Sequence, residues 1–283
     1  MISVIIPAYK NTDALVANLK HNLSFLKNLE IIVVNDDPEK SIKEDLKEFT
    51  DIKLIEHTNN KGFGLSVNDA VKHASFPYLF LLNSDVMLLN DSFKNALPLF
   101  EEHDNLFAIS FAQIEKDKTI VGKNRIFFNR GMVQHSRAKD RETGITAWAE
   151  GGSSIIKKNL FEKFGGFNPM YSPFYWEDID LSYRAWKAGY EILFLSAIQV
   201  IHHHESTIGT YFDKNTIKRI AYRNQLLFIW KNITTLSLMI RHLLYLPVYL
   251  LKSLIKGDLP FILAFFQAVT SIPQLISSRL QST

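Results

Sequence analysis

What most constrains this chain is the alternation of short apolar runs with amphipathic stretches over its first hundred residues. Ile2–Ile6, Glu30–Val34, Ile52–Glu56 and Tyr78–Leu82 are apolar or β-branched runs, the pattern of strands buried on both faces. Between them, Thr12–Leu26 sets Leu15, Leu19, Leu23 and Leu26 on one helical face, and Ser41–Phe49 and Leu65–Ala74 read the same way. This βαβαβα order predicts an α/β fold, a doubly wound and mostly parallel sheet with helices on both faces. Such sheets bind ligands at the carboxyl ends of their strands.

Those ends are polar. The first run finishes in Pro7-Ala8-Tyr9, the second in Asn35-Asp36-Asp37 and the fourth in Asn83-Ser84-Asp85, while Asn59-Asn60-Lys61-Gly62-Phe63-Gly64 follows the third. Acidic and amide clusters converging on one sheet edge repel one another unless a cation or a donor-rich ligand joins them. Helix capping and turn formation are the alternative for any one cluster, and account less well for all of them together. Further on, Phe107–Phe128 reads as mixed strands and Arg130–Arg141 as a basic loop. Gly151-Gly152 and Gly165-Gly166 mark sharp turns or close approaches, and Asp178–Gly189 reads as a helix. Two strands follow at Glu191–Leu195 and Ile198–His202.

The 283 residues are 47% hydrophobic and 22% charged, values of a globular chain. There is no cysteine, so disulfides, zinc–thiolate sites and cysteine nucleophiles are excluded and any metal must be held by His, Asp, Glu, Asn or backbone. From Lys214 onward nine Lys/Arg face a single acid, Asp258, whereas residues 1–213 carry a balance of −5. In that tail, apolar residues recur at 236, 239, 240, 243, 244, 250, 251 and 254, flanked by Arg241, Tyr245, Tyr249, Lys252 and Lys256. Cations and aromatics beside an apolar stripe predict a helix lying in a membrane interface rather than a nucleic-acid site. The uncharged stretch Leu259–Ser278 contains two prolines and several polar residues, too many for a comfortable span. The opening run is too short for a signal peptide. The expected location is therefore cytoplasmic and peripheral, on the inner face of the cell membrane.

Taken in order, VIIPAY, IIVVND, NNKGFGLSVN, LLNSDV, GGFNPMYSPFYWEDIDLSYRAWKAGY, HHHES and Tyr222-Arg223-Asn224 resemble the family 2 inverting glycosyltransferases of the GT-A fold. The resemblance spans about residues 1–231, leaving 232–283 as a helical, membrane-associating tail, and the Arg-Asn pair resembles the bacterial branch that includes rhamnosyltransferases. It implies a nucleotide-diphosphate sugar as donor, a glycan or lipid-linked acceptor and a divalent cation, Mn²⁺ or Mg²⁺. Pro7, Ala8 and Tyr9 then lie beside the nucleotide, and one of Asp36 and Asp37 accepts the imide N–H of uracil or thymine. Asn60, Gly62 and Gly64 let backbone approach the donor, and Arg223 is a candidate for its diphosphate. LLNSDV stands where the family has its DxD motif, so Asn83 replaces the first acid, Ser84 follows it, and Asp85 is the metal-bound carboxylate. His202 completes the metal site, with His204 as the alternative. In the Glu177-Asp178 pair the resemblance makes Asp178 the general base, with Glu177 and Trp176 facing the acceptor. Asp180, two residues on, points elsewhere on a helix and either caps it or pairs with Arg184.

Two rival functions remain open on these residues. A nucleotidyltransferase shares the sheet and metal logic but needs a glycine-rich basic loop where Pro7-Ala8-Tyr9-Lys10 stands. A non-catalytic sugar-nucleotide or glycan-binding relative fits Asn83 but leaves Glu177-Asp178 without a use.

Overall fold

The computed structural model describes residues 1–202 and 207–281. Strand β1 (Ile2–Ala8) is central, pairing in parallel with β2 (Glu30–Asn35) on one side and on the other with the strand at Tyr78–Leu82; β3 (Ile52–Glu56) adds in parallel beyond β2, and Tyr78–Leu82 is β4. Alternation along β1 divides the core. Val4 and Ile6 pack with Leu15 and Leu19 of α1 (Thr12–Asn22), whereas Ile5 packs with Val67 and Ala70 of α2 (Phe63–Val71). All seven of these side chains are fully or nearly fully buried, as expected for a strand covered on both faces.

Ser41–Phe49 departs from its helical pattern. Ile42 and Leu46 are buried, but the segment is a run of turns. Glu56 accepts from the Ser41 hydroxyl and from the Ile42 N–H, and Asn35 Nδ2 binds the Lys40 carbonyl, so side chains take the groups that would start a helix.

The remaining strands are β5 (Val86–Leu88), β6 (Leu106–Ile114), β7 (Ile120–Val121), β8 (Asn124–Asn129), β9 (Met132–Arg137), β10 (Gly144–Ile145), β11 (Ser153–Lys157) and β12 (Glu191–His202); β8 and β9 pair in a separate two-stranded sheet, and the others complete the main one. Helices α3 (Leu97–Glu102) and α4 (Lys158–Lys163) and then α5 (Glu177–Lys187) lie between these strands. The order is β10-β12-β6-β11-β4-β1-β2-β3, with β5 on β12 and β7 on β6. β11 is antiparallel to both β4 and β6, and β12 is parallel to β6.

Two local expectations change. The basic loop contains β9, which forms a hairpin with β8 through the two-residue turn Arg130-Gly131, φ 47° and 77°. Positive φ at both positions is what a tight hairpin requires, and glycine supplies the second. The two strands expected over 191–202 are one strand interrupted by a register shift between Leu195 and Gln199. That bulge sets His202 opposite Val86.

After α6 (Thr207–Tyr211) come α7 (Lys214–Asn232), α8 (Leu236–Lys256), α9 (Leu259–Thr270) and α10 (Ile272–Gln281). A third core joins Trp176 and Ile179 to Leu226–Ile229 of α7, Val133 of β9, and Leu246, Phe261, Ala268 and Leu275 of the tail. Inside it Asp180 is fully buried and bonds Arg184 Nε at 2.8 Å, Lys231 Nζ at 2.7 Å, Asn232 Nδ2 at 2.7 Å and the Tyr171 hydroxyl at 2.9 Å. Burial pushes this carboxyl up, but Arg184 and Lys231 outweigh it and hold Asp180 below the usual carboxylate range.

Candidate active site

Strand order reverses direction at β1, with β2 on one side and β4 on the other. This is the topological switch point at which doubly wound sheets form their ligand crevice. A cavity of about 310 Å³ opens there. Pro7, Ala8 and Tyr9 line it from the end of β1, Asp36 from β2, and Asn83, Ser84 and Asp85 from β4; Asn60, Gly62, Glu177, Asp178 and His202 complete most of its wall.

On the β2 side, Asp36 Oδ1 accepts the Lys61 N–H and faces His57 Nδ1, both at 2.8 Å, while Oδ2 accepts the Gly62 N–H at 2.8 Å. Asp36 therefore faces the cavity, and Asp37 does not. The Asp37 N–H is taken by the Asn35 side chain, and Asp37 Oδ1 accepts the Glu39 N–H, a local turn that holds it outside the wall. Gly62 has φ 85°, and a Cβ there would lie 2.5 Å from the Pro173 carbonyl oxygen, so only glycine fits. Gly64 sits behind the wall, where a Cβ would meet Phe167 at 3.1 Å and Glu177 at 3.6 Å. Its role is close packing rather than ligand contact.

On the β4 side, His202 Nε2 lies 3.3 Å from Asp85 Oδ1. His202 Nδ1 bonds Gln113 Oε1 at 2.8 Å, and Gln113 Nε2 in turn donates to Ser153 Oγ at 2.8 Å. A carbonyl-type oxygen on Nδ1 selects the tautomer whose Nε2 lone pair is directed at Asp85. A lone pair facing a carboxylate oxygen is repulsive unless a cation or proton is shared between them, so this pair fits a divalent cation. Mn²⁺ and Mg²⁺ are commonly held by one or two carboxylates plus phosphate oxygens. Among the described residues there is no group of three His, Cys, Asp or Glu that could hold a metal. His204 lies outside the described residues. Asn83 packs on Gly152, where a Cβ would come within 2.5 Å of its Nδ2.

Glu177 and Asp178 open α5 at the third side of the cavity. Burial, reinforced by the neighbouring Asp178, pushes Glu177 well above the usual carboxylate range. Burial also raises Asp178, to about 6, against backbone N–H groups of Ile179 and Gly151 that favour its ionised form. Loss of water on burial thus raises both carboxyls of the pair above their ordinary range. Glu150 is a third acid in this wall that the sequence reading missed. Burial and then the Asp178 charge raise it to about 7, and Asn124 Nδ2 donates to it. Only its position beside Gly151-Gly152 could have drawn attention to it.

Two expected contacts fall elsewhere. Trp176 is buried against Phe228, ring centroids 5.0 Å apart, and helps form the third core instead of offering a face to an acceptor. Both it and Tyr175 have positive φ, 76° and 72°, and this turn points the Trp176 side chain away from the cavity. Arg223 bonds the Ser172 carbonyl and Asn224 Oδ1, while fully buried Asn224 donates to the carbonyls of Tyr171, Phe174 and Tyr175. The Arg-Asn pair thus clamps the loop that leads into Asp178 and does not line the cavity.

The fold and the family agree with this geometry. In solved structures the chain is similar to GalNAc-T7 with UDP, GalNAc and Mn²⁺ (TM-score 0.64, 15% identity, 82% of this chain and 48% of that one). It is also similar to the mannosyltransferase PcManGT of Pyrobaculum calidifontis with GDP-Man and Mn²⁺ (TM-score 0.56, 13% identity, 99% and 73%). These likenesses establish the GT-A architecture. Among curated proteins, a poly-beta-1,6-N-acetyl-D-glucosamine synthase of Staphylococcus epidermidis is 23% identical over 202 residues, 68% of this chain and 47% of the relative. The UDP-Glc:alpha-D-GlcNAc-diphosphoundecaprenol beta-1,3-glucosyltransferase WfaP of Escherichia coli is 31% identical over 125 residues, 43% of this chain and 50% of the relative. The chain spans about half the length of these curated relatives. The family described as Glycosyl transferase family 2 matches residues 3–165, more than half of the chain, and the protein belongs to that family.

Proposed function

We propose that this protein is a metal-dependent, inverting glycosyltransferase that moves a sugar from a UDP- or dTDP-sugar, dTDP-rhamnose included, to a lipid-linked saccharide or other glycan acceptor in cell-surface polysaccharide synthesis. The observation that carries this reading is the meeting, in one switch-point cavity, of an ionisable buried carboxylate (Asp178) with a facing Asp85–His202 pair. The UDP-glucose donor and diphosphoundecaprenol-linked acceptor named for the Escherichia coli relative support the donor and acceptor classes. A nucleotidyltransferase gives way to the family membership.

Asp178 takes the proton of the acceptor hydroxyl as that oxygen bonds the donor's anomeric carbon, and the bond from that carbon to the diphosphate breaks on the opposite face. Asp36 holds the base, and Tyr9, Asn60, Asn83 and Ser84 line the path of the remaining donor. Asp85 and His202 would hold the divalent cation, which when bound neutralises the leaving diphosphate. Calorimetric titration with UDP and dTDP, with and without Mn²⁺, tests the reading. Asp85→Ala is expected to weaken Mn²⁺-supported UDP binding by tenfold or more, on the order of the loss from one removed metal ligand. Absence of UDP and dTDP binding to the wild-type protein would overturn the reading in favour of a glycan-binding relative, the function that Asn83 otherwise suits.

The membrane-facing surface belongs to α8 and its neighbours. On one side α8 is tied to the β8–β9 hairpin, His242 Nδ1 bonding the Gly131 carbonyl at 2.7 Å and Tyr249 donating to that of Arg130 at 3.0 Å. Its other side exposes Leu236, Leu243, Leu244, Leu251, Leu254 and Ile255, with Leu244 68% and Ile255 76% exposed. The helix is 21 residues long and contains an 18-residue window with a mean hydropathy of 1.4, long and apolar enough to cross a bilayer. Its attachments along the hairpin favour lying in the plane of the interface, with Arg241, Lys252 and Lys256 at the headgroups. Flotation with vesicles containing phosphatidylglycerol is expected to retain the protein. Leu244→Asp combined with Leu251→Asp is expected to release at least nine-tenths of it; equal retention would count against the proposed surface.

A further inference from the structure

His57 lies between two carboxylates. Its Nδ1 is 2.8 Å from Asp36 Oδ1, its Nε2 is 3.2 Å from Asp69 Oδ2, and the residue is buried. Asp69 is itself fixed by Lys61 Nζ at 2.7 Å and Lys72 Nζ at 2.6 Å; burial would raise its carboxyl, but these two ammonium groups bring it down to about 2. Lys61 closes the arrangement, since its backbone N–H binds Asp36 while its side chain binds Asp69.

An ionised carboxylate has about four acceptor positions. Among the described residues, Asp36 has three occupied, by His57 and Lys61 on Oδ1 and by Gly62 on Oδ2. One position on Oδ2 remains in a group that lines the cavity. A single acceptor suits a base with one ring N–H on its pairing edge, as in uracil and thymine. Guanine presents an N–H and an amino group side by side, and one of these would be left unpaired, a costly outcome in a buried site.

We infer that His57 is a positioning residue that locks the Asp36 carboxylate so that it offers one acceptor, and thereby selects a pyrimidine over a guanine nucleotide. This rests on the donor reading above. His57 acts only through Asp36 and is itself absent from the cavity wall.

Two near-isosteric variants separate the halves of the contact. His57→Asn keeps an amide N–H where Nδ1 donates to Asp36, and His57→Gln keeps one where Nε2 faces Asp69. Calorimetry with UDP, GDP and inorganic pyrophosphate, each with Mn²⁺, is the measurement. The wild-type protein and His57→Asn are expected to bind UDP at least tenfold more tightly than GDP. His57→Gln is expected to lose about tenfold in UDP affinity, narrowing that preference, with pyrophosphate affinity unchanged. Equal UDP affinity in the two variants, or parallel losses for UDP and pyrophosphate, would overturn the inference by showing a merely structural histidine. Failure of the wild-type protein to bind UDP or dTDP would instead sink the donor reading, so the two failures are distinguishable.

Discussion

Asp178→Asn is expected to reduce kcat by about 10²–10⁴-fold, the usual worth of a positioned general base, while the affinity for UDP with Mn²⁺ stays within about twofold. The amide keeps the volume and one acceptor oxygen of the carboxylate but cannot take the acceptor's proton. The reaction's pH dependence follows from the same group. Burial raises Asp178 to about 6, and a base works only when deprotonated. The rate at saturating substrate is therefore expected to fall about tenfold per pH unit below that value and to level off above about pH 7. Initial rates from pH 5 to 8 for the wild-type and variant proteins check both points. Full activity in Asp178→Asn, or an unchanged rate at pH 5, removes Asp178 from the role.

Asp180→Ala is expected to act on the fold rather than on the chemistry. Its carboxylate neutralises Arg184 and Lys231, whose side chains are 13% and 3% exposed, in the core shared by α5 and α7. Removing one partner of a buried ion network leaves the others uncompensated, a loss of about 3–5 kcal/mol. For a chain of this size that is on the order of a 10 °C fall in Tm. The direction in pH is fixed by the shift. Asp180 is held below its ordinary value, so its contribution is present at pH values above that ordinary value and is lost as pH falls through the folded-state value. Thermal unfolding at pH 7 and pH 3 tests this: the gap between wild-type and variant should be wide at the first and narrower at the second. A variant that melts with the wild type at pH 7 would mean that the two cations find other partners.

Asp178 and Asp180 stand two positions apart on one helix, and their fates illustrate how far a sequence can be read. The helical repeat places them on different faces, which was legible; of the two sequence alternatives for Asp180, a cap or a pair with Arg184 four residues on, the structure has the pair. Lys231, Asn232 and Tyr171 reach Asp180 from 51, 52 and 9 residues away, and no local pattern announces them. Trp176 shows the same limit from the other side. Its place before the acid pair suggested a ligand face, yet its positive φ turns it into the core. Arg223 likewise sits in a recognisable pair, but whether it meets a diphosphate or a loop carbonyl depends on where residues 171–175 pass.

The four strand runs, their parallel order and the polar residues at their ends were set by hydrophobic periodicity, because a strand buried on both faces must be apolar along its length and can be polar only where it leaves the sheet. Asp36, Asn83 and Asp85 were therefore placed at one edge from the chain alone. Tertiary packing chose Asp36 over Asp37, brought Glu150 beside Asp178, and set His202 against Asp85 through a bulge in β12. It also put His57 between two acids. These are contacts between residues far apart in the chain, fixed by which carboxylate finds donors and which loses water, and such pairings exist only once the sheet has assembled.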